Sequence, residues 1–329
     1  MKIRSLPIFG ISLALIASLC SPALGQRTKI NVIYPALTGV MTALWVAAES
    51  KSLQTENLDP ALLYIPSAPQ VVRVMLAGDS PIAVSGGTAV INANLSGADF
   101  VIVGGITNVP AFYVTVSPDV KSIEDLKGRT VGVTRFGSAS DFAMRYVLRK
   151  HGLKPDKDVA ILQIGGMLEL AAALARRSIV AATLSSPADL LAKKAGARVI
   201  LNMANAGIAF PQSIIVTTRS YLRAHDQEVE AFLKGYFKGV VRMISDKGAA
   251  RKAIQKYTRE TDAEIIDATY QYGLDYITQI PYASKDGVAE ILKQSGHPKT
   301  KAAQPDDFID VSVVKRLDDG GFFSQLRQR

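Results

Sequence analysis

The stretch SPIAVSGGT at residues 80–88 is echoed at residues 178–186 by SIVAATLSS, with small residues and hydroxyls at the same offsets. The echo extends upstream. KINVIYPALTGVMTALWVAAESKSL (29–53) precedes RTVGVTRFGSASDFAMRYVLRKHGL (129–153) by one hundred positions. In that alignment Val32-Ile33 meets Gly132-Val133, Thr38 meets Ser138, Ala43 meets Ala143 and Leu53 meets Leu153. Each copy reads as a short β-branched run, a Gly-containing loop and a segment of helical period. Downstream, Gly97-Ala98 and the run VIVGG have their counterparts in Gly196-Ala197 and the run RVILN. Each half therefore reads strand, loop, helix, strand, helix, strand, helix, strand. Such alternation gives a mostly parallel sheet with helices on both faces. The period is too long for a solenoid.

The expected fold is α/β with two lobes, each a doubly wound, mostly parallel sheet, and 329 residues suffice for both. Residues 26–112 and 213–329 are expected to form lobe 1, and residues 113–212 lobe 2. AFYVTVSPDV (111–120) and Ser213-Ile214-Ile215-Val216-Thr217 read as extended crossings, and two such crossings make a hinge. After Thr218 the pattern turns helical, with Leu222, Val229, Phe232, Leu233, Phe237, Val240, Val241 and Ile244 at roughly helical spacing. Asp226 is the expected N-cap of the longer helix. Further helices are expected near 248–257 and 262–275, packed back on lobe 1. The tail from Ile280, with scattered Pro and Gly, gives the weakest pattern.

The N-terminus reads as a targeting segment. Lys2 and Arg4 precede an apolar run from Ile8 to Leu19, and Ala23-Leu24-Gly25 offers small residues before a cleavage point at Gly25–Gln26. The apolar run is short for a membrane span. Lipidation at Cys20 ranks second, because Leu19 stands where a small residue is required. Cleavage removes the only cysteine, and with it thiol and disulfide chemistry, and lowers the formal net charge from +9 to +7. The basic residues are scattered without aromatic interleaving, which argues against nucleic acid. A periplasmic protein is expected.

In open α/β sheets ligands bind beyond the carboxyl ends of strands, where helices begin. Four such turns are visible: 34–40, 85–88, 136–141 and 184–189. They carry Thr38-Gly39, Ser85-Gly86-Gly87-Thr88, Gly137-Ser138-Ala139-Ser140 and Ser185-Ser186. Helix starts leave backbone N–H groups unpaired and carry partial positive charge. Gly admits close approach, and Ser and Thr add donors without bulk. Together they suit a small anionic or polar solute held without a buried cation. The same residues also serve as ordinary caps and turns; their recurrence at matching places in both halves favours a site. The candidate ligand-binding set is Tyr34, Thr38, Gly39, Ser85, Gly86, Gly87, Thr88, Ser138, Ala139, Ser140, Ser185 and Ser186. Trp45 reads as core, Asp189 as a cap or ion-pair partner, Arg135 as a cleft-edge cation, and Phe210-Pro211 as cleft floor. His151, His225 and His297 read as surface residues without carboxylate partners. No catalytic motif, cofactor motif or metal-ligand cluster is present, so no enzyme, cofactor or metal is expected.

The stretches TALWVAAESKSL, DSPIAVSGGTAV, SIEDLKGRTVGVTRFGSASDFAMRYVLRKHGL, AATLSSPADLLAKKAGARVI and FLKGYFKGV carry a family resemblance. The chain resembles the periplasmic solute-binding proteins of ABC importers. More narrowly, it resembles the nitrate/sulfonate/taurine and thiamine-pyrimidine-precursor-binding group, with the type II periplasmic binding protein-like fold. The resemblance implies a non-enzymatic, monomeric protein that captures a small-molecule solute between its lobes and delivers it to an ABC permease. It also implies that the loops holding Thr38, Gly39, Gly86, Gly87, Thr88, Ser138, Ser140, Ser185 and Ser186 line the cleft. The alternatives are a solute sensor docking on a membrane receptor and an enzyme of cofactor biosynthesis on the same fold.

Overall fold

The computed structural model describes residues 27–327; the expected signal segment, the Gly25–Gln26 cleavage point and Cys20 lie outside them. The strands are β1 (Thr28–Tyr34), β2 (Leu58–Tyr64), β3 (Ile82–Ser85), β4 (Phe100–Thr107), β5 (Tyr113–Val116), β6 (Thr130–Val133), β7 (Ala160–Gln163), β8 (Ala181–Leu184), β9 (Arg198–Asn202) and β10 (Ser213–Thr218). The helices in the sheet region are α1 (Thr42–Glu49), α2 (Ala68–Leu76), α3 (Gly87–Leu95), α4 (Ala139–Lys150), α5 (Met167–Ala175) and α6 (Ala188–Lys194). Those of the C-terminal region are α7 (Arg219–Ala224), α8 (Asp226–Ser245), α9 (Lys247–Thr258), α10 (Ala263–Tyr276), α11 (Lys285–Gln294), α12 (Ser312–Asp319) and α13 (Phe322–Arg327).

The strands form two five-stranded sheets of order β2-β1-β3-β10-β4 and β7-β6-β8-β5-β9. The orders are the same once β6, β7, β8 and β9 are laid on β1, β2, β3 and β4, so the sequence echo is a structural duplication. In each sheet the pairs around β1 and β6 are parallel. The fourth strand in each order, β10 or β5, runs antiparallel to both its neighbours. These are the two extended crossings. Each is stitched into the sheet it enters, between two strands of the repeat, and makes that sheet mixed.

Burial explains the strand sequences. β3, β4 and β8 are buried along their whole length, as strands covered on both faces must be. After the buried Leu58, β2 alternates between exposed and half-buried residues and holds Pro60, a residue without an N–H that sheet edges tolerate.

C-terminal helices pack on the first sheet. Phe232, Leu233, Tyr236 and Phe237 of α8 share one core with Val32, Leu44, Trp45 and Ile215. Gly239 makes the α1–α8 approach possible: a Cβ there would lie 2.5 Å from the Ala47 Cβ. Asp226 is not the N-cap; it is the first residue of α8, and His225 stands before it in the cap position without a side-chain cap bond. The tail is ordered by β4. Ile102 donates its N–H to Phe308 O at 2.9 Å and accepts from Asp310 N at 2.9 Å. This strap covers the exposed hydrogen-bonding edge of the sheet.

Candidate functional site

The carboxyl ends of β1, β3, β6 and β8 converge on a cavity of about 60 Å³ between the two sheets, room for a few water-sized groups. Of the twelve candidates, Thr38, Gly86, Ser138, Ala139, Ser140 and Ser185 line it. Each of the four turns supplies at least one of them. Residues that sequence reasoning passed over complete the wall: Pro35, Ala36, Val40, Met41, Ser67 and Ala68 from the first repeat, and Thr134 and Met167 from the second. Phe112 beside the first crossing and Gln212 and Ser213 at the second form the remainder. Among the described residues no charged side chain lines the cavity.

The other six candidates lie elsewhere. The Tyr34 ring packs edge-on against Trp45 at 6.2 Å and tilted against Tyr64 at 5.7 Å, inside the core. Ser85 is fully buried at the end of β3. Gly39 and Ser186 are joined to each other across the gap, Gly39 N donating to Ser186 O at 3.0 Å. Gly87 donates its N–H to Pro211 O at 3.0 Å. Thr88 faces a separate pocket with Asn92, Arg145 and Arg149. The structure therefore does not bring Tyr34, Gly39, Ser85, Gly87, Thr88 or Ser186 to the cavity wall. Each turn has residues that line the cavity and residues that pack away from it or bridge the gap beside it.

The polar heart of the wall is the start of α4. Ser138 is the N-cap, its Oγ accepting from Asp141 N at 3.3 Å. That leaves the N–H groups of Ala139 and Ser140 without acceptors in the helix. Thr134 Oγ1 donates to Ser138 Oγ at 2.9 Å and lies 2.9 Å from Ser140 Oγ, and the two serine oxygens are 3.0 Å apart. Thr134 spends its proton on Ser138, so the Ser138 and Ser140 hydroxyls and two backbone N–H groups remain at the helix N-terminus, a cradle of neutral donors that suits an oxyanion. Ser67 precedes α2 on the opposite wall at φ 77° and ψ 135°. A residue with a side chain is strained there by about 1–3 kcal/mol, which the surrounding structure must offset. Its Oγ has no partner among the described residues.

Further contacts span the gap. With its amide oxygen turned toward Arg135, Gln70 of α2 accepts from Nε at 3.0 Å and Nη2 at 2.7 Å, while its nitrogen donates to Pro66 O at 3.2 Å. Asn202 of β9 donates to the Tyr276 hydroxyl at 3.2 Å, and Lys194 pairs with Asp262. Phe142 stacks at 4.6 Å on Phe210, which reaches the core beside the crossing. Tyr64 stands against Gly166 and Glu169 at the start of α5; burial pushes its hydroxyl up to about 12, and the Glu169 charge adds to the rise. Asp189 is buried, and burial raises its carboxyl; a bond from Ser186 and Lys193 at 3.7 Å oppose the shift. Two histidines correct the sequence reading. His151 Nδ1 lies 2.7 Å from Glu124 and His225 Nδ1 lies 3.1 Å from Glu228, both in exposed pairs, and neither histidine lines the cavity.

Comparison with known proteins places this geometry. The alkanesulfonate-binding protein SsuA from Xanthomonas axonopodis pv. citri, bound to MOPS, superposes with a TM-score of 0.69 at 17 % identity, over 92 % of this chain and 96 % of that one. The periplasmic nitrate-binding protein NrtA from Synechocystis PCC 6803 superposes with a TM-score of 0.72 at 13 % identity, over 90 % and 89 % of the two chains. YtlA of Bacillus subtilis (strain 168) is 23 % identical over 251 residues, 74 % of this chain and 75 % of that protein. The NMT1/THI5-like family model matches residues 39–250. The chain thus has the periplasmic binding protein fold and belongs to the NMT1/THI5-like family.

Proposed function

We propose that the protein captures a small polar or anionic organic solute in the cavity between its two sheets and delivers it to an ABC permease. The single observation that carries this reading is the cavity itself: all four repeat-related turns reach it, and its polar groups are uncharged. In this reading residues 26–112 and 213–329 move as one lobe and 113–212 as the other, hinged at β5 and β10. The solute binds first to one wall and gains the contacts of the other on closure, so closure is favoured by that difference in affinity. Bonds such as Gly39 N to Ser186 O exist only when the lobes meet. The relatives described as alkanesulfonate-binding and nitrate-binding support a small solute. Export through the N-terminal segment and work in the periplasm belong to the same proposal; among the described residues no helix is long and apolar enough to cross a membrane.

Calorimetry with sulfonates, nitrate, carboxylates and pyrimidines tests the reading, paired with X-ray scattering with and without solute. Saturable binding with a more compact loaded form is expected. No binding by any class, with identical scattering throughout, would refute it.

A further inference from the structure

Gln212 is 7 % exposed and lines the cavity floor at the second crossing. Its backbone N–H is spent on Thr107 O at 2.9 Å and Phe210 O at 2.8 Å. Its side chain meets the Tyr272 hydroxyl. That hydroxyl gives its own proton to Ala111 O, so it can only accept from Gln212. The amide nitrogen is the group that suits Tyr272, and the oxygen is left over. Gln212 Oε1 is buried and has no partner among the described residues. An amide oxygen accepts and cannot donate. Across the cavity the Ser67 hydroxyl is also unpartnered, and it can do either. The α4 cradle supplies donors.

We propose that the solute carries a hydrogen-bond donor, a hydroxyl, amino or ring N–H group, in addition to the acceptor or oxyanion that the cradle holds, and that Gln212 Oε1 selects for that donor. This rests on the capture reading above. A solute without a donor leaves the amide oxygen buried and unpaired when the lobes close. Sites of this kind reject the analogue that lacks the group more strongly than they reject a change of size. Bare nitrate, which has no hydrogen, is then a poor ligand.

The test is calorimetry on the whole chain with matched pairs: ethanesulfonate against 2-hydroxyethanesulfonate, propionate against 3-hydroxypropionate, and 2-methylpyrimidine against 4-amino-2-methylpyrimidine. In the wild-type protein the donor-bearing member of at least one pair is expected to bind about tenfold or more tightly than its partner. In Gln212→Leu that gap closes. Equal affinity within every pair that binds, tighter binding of the donor-free member, or a gap that survives in Gln212→Leu overturns the proposal. Failure of every compound to bind overturns the capture reading and this inference with it, a result distinct from binding without discrimination. Should Gln212→Leu not fold, the wild-type pairs decide alone.

Discussion

Breaking the bond between Arg135 and Gln70 should speed release of the solute without harming either lobe. The two side chains come from opposite sides of the gap, one in the β6–α4 turn and the other on α2, and both are half-buried. The guanidinium offers Nε and Nη2 to one amide oxygen at 3.0 and 2.7 Å. Hydrogen bonds to a charged group contribute about 1.5–3 kcal/mol when shielded. Solvent at the cleft edge reduces this to about 1 kcal/mol. The contact is lost in the open form, where both groups are hydrated, so its whole value favours closure. Loss of about 1 kcal/mol corresponds to a ~fivefold faster dissociation. Arg135→Ala also removes a charge that could steer an anion inward. Gln70→Ala removes the same contact and leaves the charge in place. Stopped-flow dissociation of Arg135→Ala, Gln70→Ala and the double variant, at low and high salt, separates the two effects. A salt-independent rise common to both single variants, not repeated in the double, is expected. Additive single effects, or unchanged dissociation in Gln70→Ala, would refute the reasoning.

Three further outcomes follow from the packing and the charges. Ser138→Ala removes the α4 cap and one of the two cradle hydroxyls, so it should lower stability by about 1 kcal/mol by denaturant titration and weaken solute binding in calorimetry; undiminished binding would remove Ser138 from the site. In Gly87→Ala the new Cβ would lie 2.7 Å from both Pro211 O and Pro211 Cγ; overpacking of about 1–3 kcal/mol should appear as a lowered denaturation midpoint, and an unchanged midpoint would contradict the contact. A hydrogen bond from the His151 ring lowers the Glu124 carboxyl from 4.5 to about 2. A carboxyl depressed in the folded state contributes stability that is present above its unfolded value and fades as pH falls through its folded one. Melting temperature should therefore fall less steeply between about pH 4.5 and 2 in Glu124→Gln than in the wild type; parallel curves would show that the pair does not contribute.

The duplication was legible because it survives as residue types at fixed offsets. Val32 and Gly132 are both buried in strands of the same place in their sheets, and SPIAVSGGT and SIVAATLSS each contain a strand and the turn that follows it. The mixed character of the sheets was not legible. SIIVTT reads as extended chain, but nothing within it states that it will lie between β3 and β4 rather than outside them. At the site, hydroxyl and glycine content located the four turns but not which residue in each turn faces the gap. Thr88 and Ser138 look alike in sequence, yet a two-residue change of place along a helix start rotates a side chain by about 200°. Gln212 and Ser67 reach the cavity only through tertiary contacts, with Tyr272 and Pro35 respectively. A local trace existed for Ser67: Ser-Ala-Pro is a helix-start pattern with Pro inside the first turn. Gln212 left none beyond its neighbours Phe210-Pro211 at the crossing.

The central claim is that the solute sits between the two halves of the duplication. Its most direct test is a crystal structure of the protein isolated natively, or loaded with the tightest compound of the panel. The account predicts one bound molecule whose density touches Ser67 or Gly86 from the first half together with Ser138, Ser140 and Gln212, with Gly39 and Ser186 still joined. A solute bound outside that cavity, or touching only one sheet's turns while the halves stay closed, would contradict it.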